Sequence, residues 1–158
     1  MTTQLNQFLF NRVVVHQLAQ GKRCTADGKP VIRNGKLADP VGAVLVNSAE
    51  AQKAGSVDAR SCEDLLKRAG IKGDEALALL NELQDVHDTV NRKYWRASFE
   101  QIAEDHELEF PTEAAEQAQL SYGALRSGYA KKAWATRKSK PRAAGHKARA
   151  VAIIGGNA

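Results

Sequence analysis

The charges of this chain are divided between two regions. All 18 aspartates and glutamates lie between Asp27 and Glu116, whereas residues 117–158 carry nine basic residues and no acidic one. The formal charge is therefore −4 for residues 1–116, which hold 14 basic residues against the 18 acidic ones, and +9 for the remainder. This division predicts a compact acidic body followed by a basic extension. The extension should attract phosphate groups, because it carries only positive charge.

The composition is that of an intracellular globular protein. At 158 residues and 43% hydrophobic content, the chain is long enough for one domain with an appendage. Polar residues interrupt the apolar ones near the N-terminus, so we expect neither a signal peptide nor contact with a membrane. Cys24 and Cys62 are isolated, which favours a reducing, cytoplasmic location over a disulfide framework.

The spacing of apolar residues predicts an α+β fold that is predominantly helical. Steps of three and four residues indicate helices over residues 4–20, 63–69, 74–90, 93–106 and from Thr112 onward. Ser61 and Thr112 are suited to cap two of them, and Gly21 and Gly70 to end two others. The predicted core comprises Leu9, Val13, Leu18, Leu80, Leu83, Val86, Trp95, Phe99 and Ile102.

Two turn signals predict a small β-hairpin after the first helix. Asp27-Gly28 and Asn34-Gly35 both tolerate the positive φ angles of tight turns. The strand between them would span residues 29–33, with residues 36–38 returning. Because of Pro30, this strand would lie at an edge or begin at the proline. The apolar run Val41–Val46 fits either a buried strand or a short helix.

These patterns predict three regions. Residues 1–110 form a body of about four to five helices with one hairpin, residues 111–138 a C-terminal helical segment, and residues 139–158 a basic extended tail. Segments with the composition of that tail are disordered alone and fold on their target. The terminal run Val151–Ile154 would dock as a short strand or contact a partner.

The string Leu9–Gly21 opens a pattern that resembles a family of small proteins of bacteriophages, prophages and bacteria. In that family an opening helix ends in Gln-Gly and is followed by a Gly-rich hairpin, a Val-Gly segment, a Leu-Gln-x-x-His-Asp helix and a Trp-centred helix. Here the last three are Val41–Leu45, Leu79–Asp88 and Trp95–Leu108. The chain departs from the pattern at Asp39 and Pro40, where the family has cysteine and alanine. The resemblance implies a phage or mobile-element origin in a bacterial host cell and carries over no function.

The chemistry-bearing residues do not predict an enzyme. Histidine and carboxylate side chains on neighbouring helices, notably His87, Asp88 and His106, could approach one another. However, no spacing typical of a metal site or a phosphate-binding loop supports them. We therefore expect no catalytic residue, no metal site and no cofactor, with His87 and His106 structural and both cysteines packed as small hydrophobes.

The basic region supplies the strongest functional signal. Aromatic side chains are interleaved with its basic ones, a combination suited to stacking on unpaired bases and to contacting phosphates. The predicted nucleic-acid-binding residues are Arg126, Tyr129, Lys131, Lys132, Trp134, Arg137, Lys138, Lys140, Arg142, Lys147 and Arg149. Alternatively, Tyr122, Leu125 and Tyr129 share a helix face that would simply dock on the body.

Two classes of function follow from these features. In the first, a small accessory protein binds RNA, DNA or a ribonucleoprotein through its basic tail, while its acidic body contacts a host protein. In the second, the protein is an anti-defence or inhibitor protein that blocks a host protein complex. A virion component is a third alternative.

Overall fold

The computed structural model describes residues 2–27, 29–45 and 62–139, with side chains for residues 3–27, 31–45 and 62–128. The helices are α1 (Thr2–Gln20), α2 (Pro40–Val44), α3 (Glu63–Arg68), α4 (Asp74–Thr89), α5 (Trp95–Asp105) and α6 (Thr112–Ser139), with a 3-10 turn at Arg92–Tyr94. The strands are β1 (Thr25–Ala26), β2 (Lys29–Pro30), β3 (Arg33–Asn34) and β4 (Leu37–Ala38). The predicted fold class, α+β with a large excess of helix, is confirmed.

The core lies where α1 packs against α2, α4 and α5. Each of these helices presents an apolar stripe, and burying the stripes against one another removes them from water. The nine predicted core residues are all buried, and Trp95 is only 1% exposed. The predicted core is therefore confirmed, and Phe10, Val14 and Leu79 extend it.

Both predicted turns join antiparallel strands. Strand β1 pairs with β2 and strand β3 pairs with β4, so the region expected to form one continuous strand contributes to two short ladders. Ile32 lies between the ladders and is completely buried. The second turn places Gly35 at a φ of 61°, a conformation that glycine adopts without strain.

The undecided run that begins at Val41 forms a short helix as far as Val44. Asp39 precedes this helix, and its Oδ1 accepts a hydrogen bond of 2.7 Å from the Gly42 amide. Pro40 occupies the first helical position, where its missing N–H leaves no intrahelical bond unmade. The cap and the proline together favour helix over strand, because both stabilise a helix start. Val46 lies outside the described residues.

Gly42 lies where α2 passes very close to the backbone before β3. A Cβ atom at this position would overlap the carbonyl oxygen of Ile32. We therefore expect Gly42→Ala to lower the free energy of unfolding by about 1–3 kcal/mol, since one of two backbone segments must move. Urea denaturation of the purified protein measures this change.

Gly123→Ala is the matched control for Gly42→Ala. Gly123 lies in α6, and a Cβ atom there would meet no atom within 4 Å. The control should leave the stability unchanged or raise it by up to about 1 kcal/mol, because alanine favours helix over glycine. Equal stability of Gly42→Ala and the unmodified protein would contradict the close approach.

Gly70, Ser61 and Thr112 were predicted to end or cap α3 and α6. Gly70 follows α3 as predicted, and the Ile71 amide donates to the Leu66 carbonyl at 2.9 Å, in the manner of a helix C-terminal motif. Ser61, the predicted cap of α3, lies outside the described residues. Thr112 is the first residue of α6, and its hydroxyl donates to the Phe110 carbonyl at 3.4 Å.

The chain divides into two compact units, residues 1–125 and residues 126–158. The first unit contains α1–α5, the four strands and α6 as far as Leu125. Ala115 and Ala118 of α6 are buried and belong to the core. The first unit thus extends beyond residue 110, where the sequence predicts that the body ends.

Candidate nucleic-acid interface

The residues of the predicted interface lie in the second unit, in α6 and beyond it. The backbone is helical through Ser139, so Arg126, Lys131, Lys132, Arg137 and Lys138 are all helical residues. Arg126 is exposed. The side chains of Tyr129, Lys131, Lys132, Trp134, Arg137 and Lys138 lie outside the described side chains. Lys140, Arg142, Lys147, Arg149 and the run Val151–Ile154 lie outside the described residues.

Tyr122 shows how α6 is held within the first unit. Its hydroxyl accepts a hydrogen bond of 2.8 Å from Arg92 Nη1, which also donates to the Gly21 carbonyl. A Cβ on Gly21 would overlap the Tyr122 ring, so the ring lies directly on the end of α1. The predicted docking is therefore confirmed for Tyr122, whereas Leu125 is 58% exposed.

The first unit carries a basic cleft that the sequence did not reveal. It has a volume of about 340 Å³ and is lined by Lys22, Arg23, Asn91, Arg92 and Trp95. The basic residues come from the segments that follow α1 and α4, which the packing of these two helices brings together. The only signal in the sequence was the presence of two basic dipeptides, Lys22-Arg23 and Arg92-Lys93.

An exposed aromatic side chain lies next to this cleft in the sequence. Tyr94 is 54% exposed, and the Lys93 ammonium lies 4.6 Å from its ring centre. A cation over an aromatic face is attracted by the π electrons of the ring. The negative formal charge of the body is thus not evenly spread, because basic side chains cluster at this cleft.

His87 is a structural residue at the centre of the first unit. Its Nε2 accepts a 3.2 Å hydrogen bond from the Cys24 amide, and its Nδ1 lies 2.8 Å from Asp88 Oδ1. Because a backbone amide only donates, Nε2 carries no proton and Nδ1 donates to the carboxylate. The imidazole packs against the Trp95 ring at a centroid distance of 5.4 Å. His87 therefore ties α4 to the segment before β1.

The carboxylate of Asp88, which accepts the hydrogen bond from His87, makes the stability of the protein depend on pH in acid. Burial alone would raise the pKa of Asp88, but hydrogen bonds from His87 and Gln84, with the charge of Arg23, hold that pKa below its ordinary value of 3.8. A carboxylate with a lowered pKa stabilises the fold above its unfolded-state pKa, and this contribution is lost as the pH falls.

We therefore expect the free energy of unfolding to decrease as the pH falls below 3.8 and through the lowered pKa of Asp88. An Asp88→Asn variant should show a shallower decrease, because it has lost the carboxylate that takes up a proton on unfolding. Denaturant titrations at a series of pH values measure both slopes. Asp85→Asn, an exposed site on the same helix, should keep the original slope. Identical slopes for Asp88→Asn and the unmodified protein would refute the role of Asp88.

The other candidate chemical groups are also held by the fold. His106 bonds to Glu82 at 3.0 Å, so the two histidines on neighbouring helices contact different carboxylates. Burial first, and then the charge of Asp39, raises the pKa of the Cys24 thiol to about 11, which leaves it protonated and a poor nucleophile at neutral pH. Within the described part of the chain, no three His, Cys, Asp or Glu side chains group closely enough to hold a metal ion.

No described helix combines the length and apolar composition needed to cross a bilayer. Comparison of the chain with family models, with curated proteins and with solved structures gave no match. The resemblance to phage and bacterial proteins therefore stays a prediction, and the function has to be argued from the residues of this chain.

Proposed function

We propose that this protein is a small accessory factor that binds RNA, DNA or a ribonucleoprotein through the basic residues of 126–149. The observation that carries the proposal is the confinement of all acidic residues to the region up to Glu116, with nine basic and no acidic residues after it. The helical backbone of α6 through Ser139 supports it, since a helix presents its basic side chains at fixed intervals along a polyanion.

The charge separation favours nucleic acid for a physical reason. No carboxylate within residues 117–158 competes with phosphate for the basic side chains. Each contact between such a side chain and a phosphate releases condensed counterions, which drives association. The first unit has a net negative charge, so it contributes to binding at most through local basic surfaces such as the cleft at Arg23 and Arg92.

The aromatic residues of the second unit add a preference for unpaired strands. Bases in single strands expose their faces, and each stacked aromatic ring contributes about 1–3 kcal/mol. We expect the double variant Tyr129→Ala, Trp134→Ala to lose more affinity for single-stranded oligonucleotides than for duplexes of equal length. Fluorescence anisotropy with both ligands measures this difference. An equal loss for both ligands would show that the two rings do not stack on bases.

A protein partner is the second candidate, and exposed apolar residues favour it. Among the described residues, Phe8, Tyr94, Leu120 and Leu125 are each more than half exposed. Large apolar side chains in water are typical of surfaces that bind other proteins, although isolated ones are common. On this reading the protein blocks a host protein complex, and the basic tail is auxiliary.

Affinity capture from a bacterial lysate distinguishes the two candidates. The tagged full-length protein is captured with and without nuclease, and the bound material is measured by ultraviolet absorbance and by mass spectrometry. Nucleic-acid binding predicts an absorbance ratio typical of nucleic acid that nuclease removes together with the captured proteins. A single set of proteins that nuclease leaves in place, with no nucleic acid, would contradict the proposal and favour the inhibitor.

A further inference from the structure

The first unit contains a second basic cavity, distinct from the cleft at Arg23 and Arg92. Its volume is about 460 Å³. Three elements form it, namely α1, the hairpin that joins β3 to β4, and α2. The lining residues are Arg12, Val15, His16, Arg33, Lys36 and Ala43.

The arginines of this cavity are fixed by the end of α2. Arg12 Nε donates to the Ala43 carbonyl at 2.8 Å, and Arg33 Nη2 donates to the Gly42 carbonyl at 3.3 Å. These bonds hold both guanidinium groups in place, and each uses one of the five N–H donors of its guanidinium group. Among the described residues, the buried Nε of Arg33 has no hydrogen-bond partner. A buried donor without an acceptor is unfavourable, so an arriving acceptor would stabilise it.

The cavity has a large local excess of positive charge. Arg12, Arg33 and Lys36 carry three formal charges, and no described carboxylate lines the cavity. The nearby carboxylate of Asp39 is turned to the start of α2, where it caps the Gly42 amide. Cations held together without a counterion repel one another, and an anion between them removes that repulsion.

His16 lies in the lining of the cavity together with these basic residues. Its Nε2 lies 3.0 Å from Gln20 Oε1, and the same oxygen accepts the Ala38 amide at 2.8 Å. The oxygen therefore acts as an acceptor, Nε2 of His16 donates, and Nδ1 has no partner among the described residues. Burial chiefly lowers the pKa of His16, and the charges of Arg33 and Arg12 lower it further against the opposing bond to Gln20.

We propose that this cavity binds the phosphate group of a small phosphate monoester. A dianionic phosphate neutralises three cations better than a carboxylate, and its oxygens match the fork of donors on a guanidinium group. The cavity volume falls within the range of about 300–1,000 Å³ that sites for small organic molecules occupy. The cavity is therefore large enough for a molecule bigger than phosphate alone. Val15 and Ala43 supply an apolar wall for the rest of the molecule. All of its lining residues belong to the first unit.

Titration calorimetry and NMR of the full-length protein test the proposal. Phenyl phosphate serves as the probe, with inorganic phosphate and benzoate for comparison, at physiological salt. Phenyl phosphate should bind saturably and at least about tenfold more tightly than benzoate, because it carries a second negative charge. Its binding should shift the Arg33 Nε–H resonance and raise the pKa of His16, since the anion favours protonated imidazole. Equal binding of benzoate, or no resonance shift at either residue, would overturn the proposal.

Matched variants separate the cavity from the tail. Lys36→Gln, at an exposed position, should weaken phenyl phosphate binding roughly threefold, as expected for an exposed charge. Arg33→Lys should weaken it about tenfold or more, because lysine keeps the charge but loses the fork. Lys72→Gln, an exposed lysine outside the cavity, and glutamine substitutions of the nine tail residues should leave binding unchanged. Affinity that falls only in the tail variant would overturn the cavity site without affecting the proposal for the tail.

Discussion

Replacing Trp95 with alanine is expected to lower the free energy of unfolding by about 3–5 kcal/mol, the range measured when a large buried aromatic side chain is removed. Trp95 is only 1% exposed. Its ring packs against those of His87 and Phe99, at centroid distances of 5.4 and 6.4 Å. Its Nε1 donates to the Val90 carbonyl at 3.1 Å. The substitution therefore removes packing at the contact of α4 with α5 and takes from the Val90 carbonyl its shorter hydrogen bond, leaving the 3.4 Å bond from Arg23 Nη2.

Chemical denaturation measures the loss, and Tyr94→Ala is the matched control. Tyr94 precedes Trp95 in the chain but is 54% exposed, so its removal should change stability by only about 0.5 kcal/mol. A Trp95→Phe variant should recover part of the lost stability, because it refills some of the cavity. If Trp95→Ala cost no more than Tyr94→Ala, the core described for these helices would be incorrect.

Neutralising the nine basic residues after Glu116 is expected to abolish nucleic-acid binding at physiological salt. Replacing each lysine and arginine with glutamine keeps the chain length and side-chain polarity while removing every charge that attracts phosphate. The first unit should remain folded, because its core comes from residues before Leu125. Circular dichroism and denaturation of the variant check this, and fluorescence anisotropy with labelled RNA and DNA measures the loss of affinity.

The control replaces lysines of the first unit instead. Lys67 and Lys72 are exposed and lie in neither of the two basic cavities, so their glutamine variants should bind nucleic acid as the unmodified protein does. Neutralising Arg23 and Arg92 tests the cleft separately and should weaken binding only slightly. A larger loss there than in the tail variant would move the interface to the first unit.

Local patterns were sufficient to predict most of the fold. The apolar stripes of α1, α4 and α5 predicted the core, because a helical period fixes which residues share a face. The segment at Val41 stayed undecided, since its length fits strand and helix equally well. The pair Asp39-Pro40 resolves it, because a capping carboxylate followed by proline favours a helix start.

Long-range contacts account for what the sequence did not predict. His87 was expected to be structural, but its bond to the Cys24 amide joins residues that are 63 positions apart in the sequence and has no local signature. The basic cleft and the second basic cavity are also formed by long-range contacts. Arg23 and Arg92, like Arg12 and Arg33, come together only after α1 packs against α2 and α4. For the residues of the predicted interface beyond Arg126, nucleic-acid binding stays a prediction that rests on charge and aromatic spacing alone.

The salt dependence of nucleic-acid affinity, measured for the intact chain and for a chain ending at Leu125, tests the central claim most directly. If about five to seven basic residues contact phosphates, the logarithm of the association constant of the intact chain should fall against the logarithm of salt concentration with a slope of roughly −4 to −6. Discrimination between sequences should be slight, because phosphate contacts do not read bases. The shortened chain, once shown to be folded, should bind neither RNA nor DNA at low salt. Equal affinity and slope for the two chains, or no binding by the intact chain at low salt, would contradict the proposed function.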